Sequence, residues 1–426
     1  MNMEKKIYDS FVKILKKELV PALGCTEPIA LAYAAAKARE VLGTMPERIV
    51  ATCSGNIIKN VKGVVVPATG GLRGIEAAVL IGTVGGDPSK ELEVLSTVTD
   101  EDRDTVRKLL EADICEVKVS ENNAKLHIII EMWAGETSSL VEIIHSHTEI
   151  VRMLKDGKVL LKKDIKNLDG EEEDEDYNFL NMENIYCFAK EVDLEDVKET
   201  LDKQIQYNTQ IAEAGMEGIY GANVGKTLVE AYGKSLDVLA KALPAAGSDA
   251  RMSGCELPVI INSGSGNQGM TVSLPVIICA KELNASEEAR YRALCISNLT
   301  ALYQKRDIGR LSAYCGAVSA GAGAGAGMMY LMGGGLEEIS KVVEYTLANV
   351  GGIICDGAKS SCAAKIASAV EAALLAIRLI EKNRGFGSGE GVVKDTVAET
   401  VEGVSAIARE GMQITDEVIL DVMVNR

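Results

Sequence analysis

The sequence predicts an α+β protein in two parts: residues 1–183 form a domain of helices and a mainly antiparallel sheet, and residues 184–426 form an all-α domain. Three observations predict it. Apolar residues between Ile114 and Leu161 recur at every second position, the strand period, whereas the pattern after about Asn184 is helical almost to the end. A chain of 426 residues divides most naturally into two domains of ordinary size. Finally, 47% of the residues are apolar and only 4% aromatic, so Ala, Val, Leu, Ile and Met fill the interior while 41 glycines permit close backbone approach. Densely packed helices have that profile.

Each element follows in order. "MNMEKKIYDSFVKILKKEL" sets Ile7, Phe11, Ile14, Leu15 and Leu19 at helical spacing with charges throughout, which is an amphipathic helix and not a signal peptide. In "PALGCTEPIALAYAAAKAREVLG", Pro21 and Gly24 punctuate the chain before Thr26, Glu27 and Pro28 open a helix, so Cys25 stands at its N-terminus. "RIVATCSGNIIKNVKGVVVPATGG" reads as strand, polar turn and short strand, with an Ala-rich helix from about Arg73. "CEVKVS", "KLHIIIEMW", "SSLVEIIHSHTEIVRML" and "DGKVLL" are the strands of the sheet, joined by turns such as "SENN". The carboxylate run "DGEEEDEDYN", 169–178, repels itself and reads as a solvated boundary loop. Beyond it, glycine-rich stretches at 262–269, 316–335 and 384–391 interrupt the helices.

A formal charge of -17 disfavours nucleic acid and anionic membranes as partners and leaves small molecules. No charge occurs from Leu311 to Leu336, but "GAVSAGAGAGAGMMYLMGGG" is mostly Gly and Ala, and reads as a buried helix with a small-residue face rather than a membrane span. A cytoplasmic location is expected. Ten cysteines in that compartment are core, catalytic or metal-bound residues and not a disulfide framework.

Among the motifs, "YGANVGKTLVEA" imitates a phosphate loop but has Tyr220 where the first glycine belongs. His145 and His147, two apart on an expected strand, would face one side as zinc ligands do, yet nothing nearby completes the set. His147 at a strand end is instead a candidate substrate contact. "INSGSGNQGMTVSLPVI" packs small polar residues before an apolar helix, where backbone N–H groups can meet a carboxylate. Cys53, Cys115, Cys187, Cys255, Cys279 and Cys295 fall singly in apolar runs, whereas Cys315, Cys355 and Cys362 border glycine or serine. Seven-residue spacing in "CDGAKSSC" is no standard metal signature, so zinc, a cluster with one open iron, and plain packing all stay open on spacing alone.

Together, "PALGCTEP", "SGSGNQGMTVSLP", "RLSAYCGAVSAGAGAGAG" and "GIICDGAKSSCAAK" resemble, over essentially the whole length, the iron-sulfur L-cysteine desulfidases, relatives of the iron-sulfur L-serine dehydratase alpha chain. The resemblance implies a 4Fe-4S cluster in the C-terminal domain held by Cys315, Cys355 and Cys362, and Cys25 as catalytic base. The last two ligands stand closer than in the serine enzymes, with no proline between them, which favours the desulfidase branch. The implied reaction is non-redox β-elimination of L-cysteine to pyruvate, ammonia and hydrogen sulfide. At its helix N-terminus Cys25 is expected to hold a stabilised thiolate. Ser263, Ser265, Asn267 and Gln268 are the candidate carboxylate contacts, Glu27 the candidate ammonium partner, and Asn56 and Asn60 further polar candidates. The same chemistry on L-serine, a cluster-bearing amino-acid sensor without turnover, and a cofactor-free structural or transport-associated protein are the rivals. A homo-oligomer stays open, and no lysine is singled out as a pyridoxal phosphate anchor.

Overall fold

The computed structural model describes residues 3–122, 124–163, 177–309 and 312–424. The acidic run therefore lies, up to residue 176, outside the described residues, as do Arg310 and Leu311. Eight strands form among the described residues: β1 (Pro21–Leu23), β2 (Arg48–Cys53), β3 (Cys115–Val119), β4 (His127–Ala134), β5 (Thr137–Ile144), β6 (Ile150–Lys155), β7 (Lys158–Lys162) and β8 (Pro258–Ile260).

The period-two runs become one six-stranded sheet in the order β3-β2-β4-β5-β6-β7, antiparallel except for the β2/β3 pair. Ala51 opposes Ile130, and Ile130 opposes Val141, so these side chains share a face. That face is buried under the helices Thr26–Leu42 and Ile75–Gly85. Each aliphatic side chain fully buried there contributes about 1.5–3 kcal/mol. Gly82 lets the two helices meet, since a Cβ on it would lie 2.2 Å from the Ala32 carbonyl oxygen.

Three local expectations give way, the first being the short strand after the polar turn, which is only an isolated bridge between Val65 and Arg73. The polar turn after β2 is a helix, Gly55–Val61, which Ser54 precedes in extended conformation. The single run "SSLVEIIHSHTEIVRML" is two strands, β5 and β6, because His145 adopts a left-handed φ of 65° and turns the chain. His145 and His147 thus sit in a turn and do not flank one strand face.

The amphipathic first helix, Lys5–Glu18, turns its apolar face toward the C-terminal half: Phe11 stacks on Phe188 at 4.8 Å and meets the edge of Phe179 at 4.9 Å. Directly after it, β1 pairs antiparallel with β8, Pro21 opposite Ile260. A division at 183/184 is a proposal about folding units; in the packed chain, the first helix and β1 lie against the helical half.

At the centre of that half is the Gly-Ala helix, Gly316–Leu331, buried from Ala317 to Met329. It packs against the helices Gly266–Glu282, Glu287–Ile308, Leu336–Val350 and Cys362–Glu381. Gly323 would place a Cβ 2.5 Å from the Ser297 carbonyl oxygen, so the small-residue face is a close helix–helix contact. No helix among the described residues is long and apolar enough to cross a membrane.

Candidate active site

Four helices begin at one cavity. Cys25 is the N-cap of Thr26–Leu42, Ser265 of Gly266–Glu282 and Cys315 of Gly316–Leu331, while Cys362 is the first residue of Cys362–Glu381. Their N-termini, the positive ends of the helix dipoles, converge on a space of about 840 Å³, open mouth included. The field favours an anion or a negatively charged cofactor. Backbone geometry fixes two entries: Gly24 has φ 65° with Pro67 where a Cβ would be, and Ser263 and Gly264 are both left-handed, turning the chain from β8 into its helix.

Around Glu27 the cavity is polar and closed. Its carboxylate accepts hydrogen bonds from the Cys25 thiol at 3.2 Å, the Thr26 hydroxyl at 3.1 Å and the Asn60 amide at 3.0 Å. His147 Nε2 lies 3.9 Å from Glu27 Oε1, an ion-pair distance too long for a hydrogen bond, and is otherwise buried without a hydrogen-bond partner. Burial alone would raise the Glu27 carboxyl, but His147 and the Cys25 thiol outweigh it and hold it down at about 2. Cys25 goes the other way. Burial, then the Glu27 charge, push its thiol well above the ordinary value, and the nearby Arg251 offsets only part. The thiolate expected from the helix N-terminus is therefore corrected: desolvation and a neighbouring carboxylate outweigh the dipole.

Opposite stand the three other thiols. Tyr314 and Ile354 form a β-bridge, with Cys315 N–H donating to Ile353 O at 3.0 Å and Cys355 N–H to Ala313 O at 2.6 Å, so two cysteines lie on adjoining extended segments. The Cys362 thiol points back to Gly357 O at 3.6 Å. Burial and then the neighbouring Cys355 push Cys315 up to about 12; Cys362 is raised by burial first, with Cys355 adding to it. Among the described residues, no three His, Cys, Asp or Glu side chains are grouped as ligands of one metal ion. A cluster binds each thiolate to a different iron, so three soft donors lining one cavity, one buried and two half-buried, fit it in donor chemistry.

All twelve residues singled out from the sequence line this cavity: Cys25, Glu27, Asn56, Asn60, His147, Ser263, Ser265, Asn267, Gln268, Cys315, Cys355 and Cys362. Their individual settings differ. Ser265 Oγ accepts the Gln268 N–H at 3.5 Å as a helix cap, Asn267 Oδ1 accepts from Arg251, and Gln268 Oε1 is buried without a partner, its amide packed against Gly316. Sequence reasoning missed five further polar lining residues, Lys59, Arg251, Lys305, Ser312 and Tyr314. One signal for Arg251 was present: "KALPAAGSDARMSG" sets a lone Asp–Arg pair in an otherwise small and apolar helix stretch, and both side chains are buried.

Thiols and a buried carboxylate thus line one cavity roofed by helix N-termini from both halves of the chain, a donor set in keeping with a lyase. Residues 89–421 match the family described as the serine dehydratase alpha chain, and the chain belongs to that family. It is 58% identical to the UPF0597 protein of Lachnoclostridium phytofermentans over 419 residues, 98% of this chain and 100% of that one. The UPF0597 protein of Desulfitobacterium hafniense is 49% identical over 431 residues, covering 100% of this chain and 99% of its own. That of Finegoldia magna is 48% identical over 422 residues, 98% and 100%.

Proposed function

We propose that this protein is an L-cysteine desulfidase, which converts L-cysteine and water into pyruvate, ammonia and hydrogen sulfide by β-elimination. The observation that supports it is the meeting, in one cavity, of Cys25 and Glu27 from the start of the chain with Cys315, Cys355 and Cys362 from its far end. In this reading the three cysteines hold a 4Fe-4S cluster. When bound, the cluster supplies a Lewis-acidic iron for the departing sulfur.

The chain's own residues do the rest. In this reading Cys25 is the base for the α-proton, and it must first give up the thiol proton with which it donates to Glu27 at 3.2 Å. Asn60 and His147 fix Glu27 from the other side, and the same carboxylate faces a substrate ammonium. The polar turn Ser263–Gln268, with the helix N-terminus behind it, receives the substrate carboxylate. Lost sulfide leaves aminoacrylate, which water converts to pyruvate and ammonia outside the site. Small molecules are the partners in this reading, and reduced thiols suit a cytoplasmic setting.

The test is anaerobic reconstitution with iron and sulfide, removal of excess sulfide, and addition of L-cysteine. Sulfide and pyruvate released one to one, and lost in Cys315→Ala, are expected. An iron-loaded protein that releases neither would refute the reading. The family description favours L-serine as the second substrate to try; a higher kcat/KM for pyruvate formation from L-serine would move the assignment there.

A further inference from the structure

Arg251 is 2% exposed and lies in the last turn of the helix Leu236–Met252, in the wall of the cavity. No carboxylate pairs with it among the described residues. Its Nε donates to Gly24 O at 2.8 Å and its Nη1 to Asn267 Oδ1 at 3.2 Å, both neutral acceptors. A guanidinium has five N–H groups, and among the described residues both Nη2 hydrogens and the second on Nη1 have no acceptor. The Nη1/Nη2 edge presents one hydrogen from each nitrogen, and such an edge takes a carboxylate through two parallel bonds.

A second observation points the same way. Gly266, the first residue of its helix, would place a Cβ 2.6 Å from Arg251 Nε, so the missing side chain is what lets the guanidinium lie against that helix N-terminus. Two positive features are thus pressed together and desolvated, which is costly unless an anion lies between them. Lys59, another cation lining the cavity, is paired with Asp416.

We infer that Arg251 is the carboxylate anchor of this site, offering the Nη1/Nη2 edge of its guanidinium to the substrate carboxylate beside the N-terminus of Gly266–Glu282. The assignment rests on the reading of the cavity as an amino-acid site. It also explains Asn267 as a residue that orients the guanidinium. Glu27 and Arg251, of opposite charge and not paired with one another, then hold the two ends of one small zwitterion.

Three non-substrate probes separate the ends: L-alanine, 3-mercaptopropionate, which lacks the amine, and 2-aminoethanethiol, which lacks the carboxylate. Their affinities are measured by calorimetry on anaerobic, iron-loaded protein whose iron content is checked. In Arg251→Gln, both carboxylate probes are expected to weaken about thirty-fold or more, and 2-aminoethanethiol to stay within about twofold. Arg251→Lys recovers part of the loss. Should Arg251→Gln fail to fold, Asn267→Asp sets a competing carboxylate against the guanidinium and is expected to weaken the same two probes. Equal weakening of all three, no weakening, loss of iron in the variants, or a wild type that binds neither carboxylate probe would overturn the assignment. Because no probe turns over, a wild type that releases no sulfide from L-cysteine but still shows the discrimination refutes the elimination chemistry and leaves the anchor standing.

Discussion

Replacing Gly323 by alanine tests whether the Gly-Ala helix is glycine-rich for packing or merely tolerant of it. In an open helix interior the change gains up to about 1 kcal/mol, because alanine restricts the unfolded chain and favours the helix. Here the new Cβ would stand 2.5 Å from the Ser297 carbonyl oxygen and 3.3 Å from Ala301 Cβ, where ordinary contact begins at 3.4 Å. The obstructing oxygen belongs to the backbone of a buried helix and cannot rotate aside, so the helices must part, at a cost of about 1–3 kcal/mol. Net destabilisation of about 1 kcal/mol is expected. Gly403, inside the helix Val397–Ala406 with nothing within 4 Å of its added Cβ, is the matched control and should gain stability instead. Denaturant midpoints followed by circular dichroism, with wild type beside both variants, read the two signs. Since Cys315 caps the affected helix, the Gly323 variant should also retain less reconstituted iron. A Gly323→Ala protein as stable as Gly403→Ala would refute the packing argument.

Cys25→Ser is expected to keep its iron and lose turnover; an active variant would remove Cys25 from the chemistry. Asp416→Asn strips the partner from Lys59, which is 2% exposed, and an unpaired buried charge of this kind costs about 3–5 kcal/mol. Faster hydrogen exchange in residues 407–424 than in wild type would register the loosened helix, and unchanged exchange would show the pair to be dispensable. Glu142 is held below its ordinary value first by the His127 hydrogen bond at 2.9 Å and, against the opposing effect of burial, by Arg152 at 2.7 Å. Its folded pKa lies below the unfolded one, so it stabilises the fold above about pH 4.5 and that contribution is lost as pH falls through the folded value. Glu142→Gln should therefore flatten the acid side of a stability–pH curve, and an unaltered acid limb would count against it.

The sheet was legible because period two survives in "CEVKVS" and "KLHIIIEMW". The break at His145 was not, since a left-handed residue leaves no trace in hydropathy. β1 and β8 are three residues each, too short to show any period, and only tertiary pairing reveals them. The helix Gly55–Val61 was hidden because glycine and asparagine at its start imitate a turn. At the site, residue types announced themselves through motifs, but Lys59 and Arg251 did not: each depends on burial and on partners far away in sequence. The Cys25 thiol illustrates the limit best. Its helix position could be read from "GCTEP", whereas the desolvation that decides its charge belongs to the folded cavity alone.

The pairing of β1 with β8 also sets a clock. Cys25 leaves the ribosome on the order of tens of seconds before Cys362 is made. Until β8 emerges, the strand that positions Cys25 has no partner, and until the helix Cys362–Glu381 emerges the opposite wall is missing. The cavity thus needs segments made far apart in time, from Cys25 to the helix Cys362–Glu381. Whatever fills this space meets all of its walls only after the helix Cys362–Glu381 has emerged and joined Cys25 across more than three hundred residues of sequence.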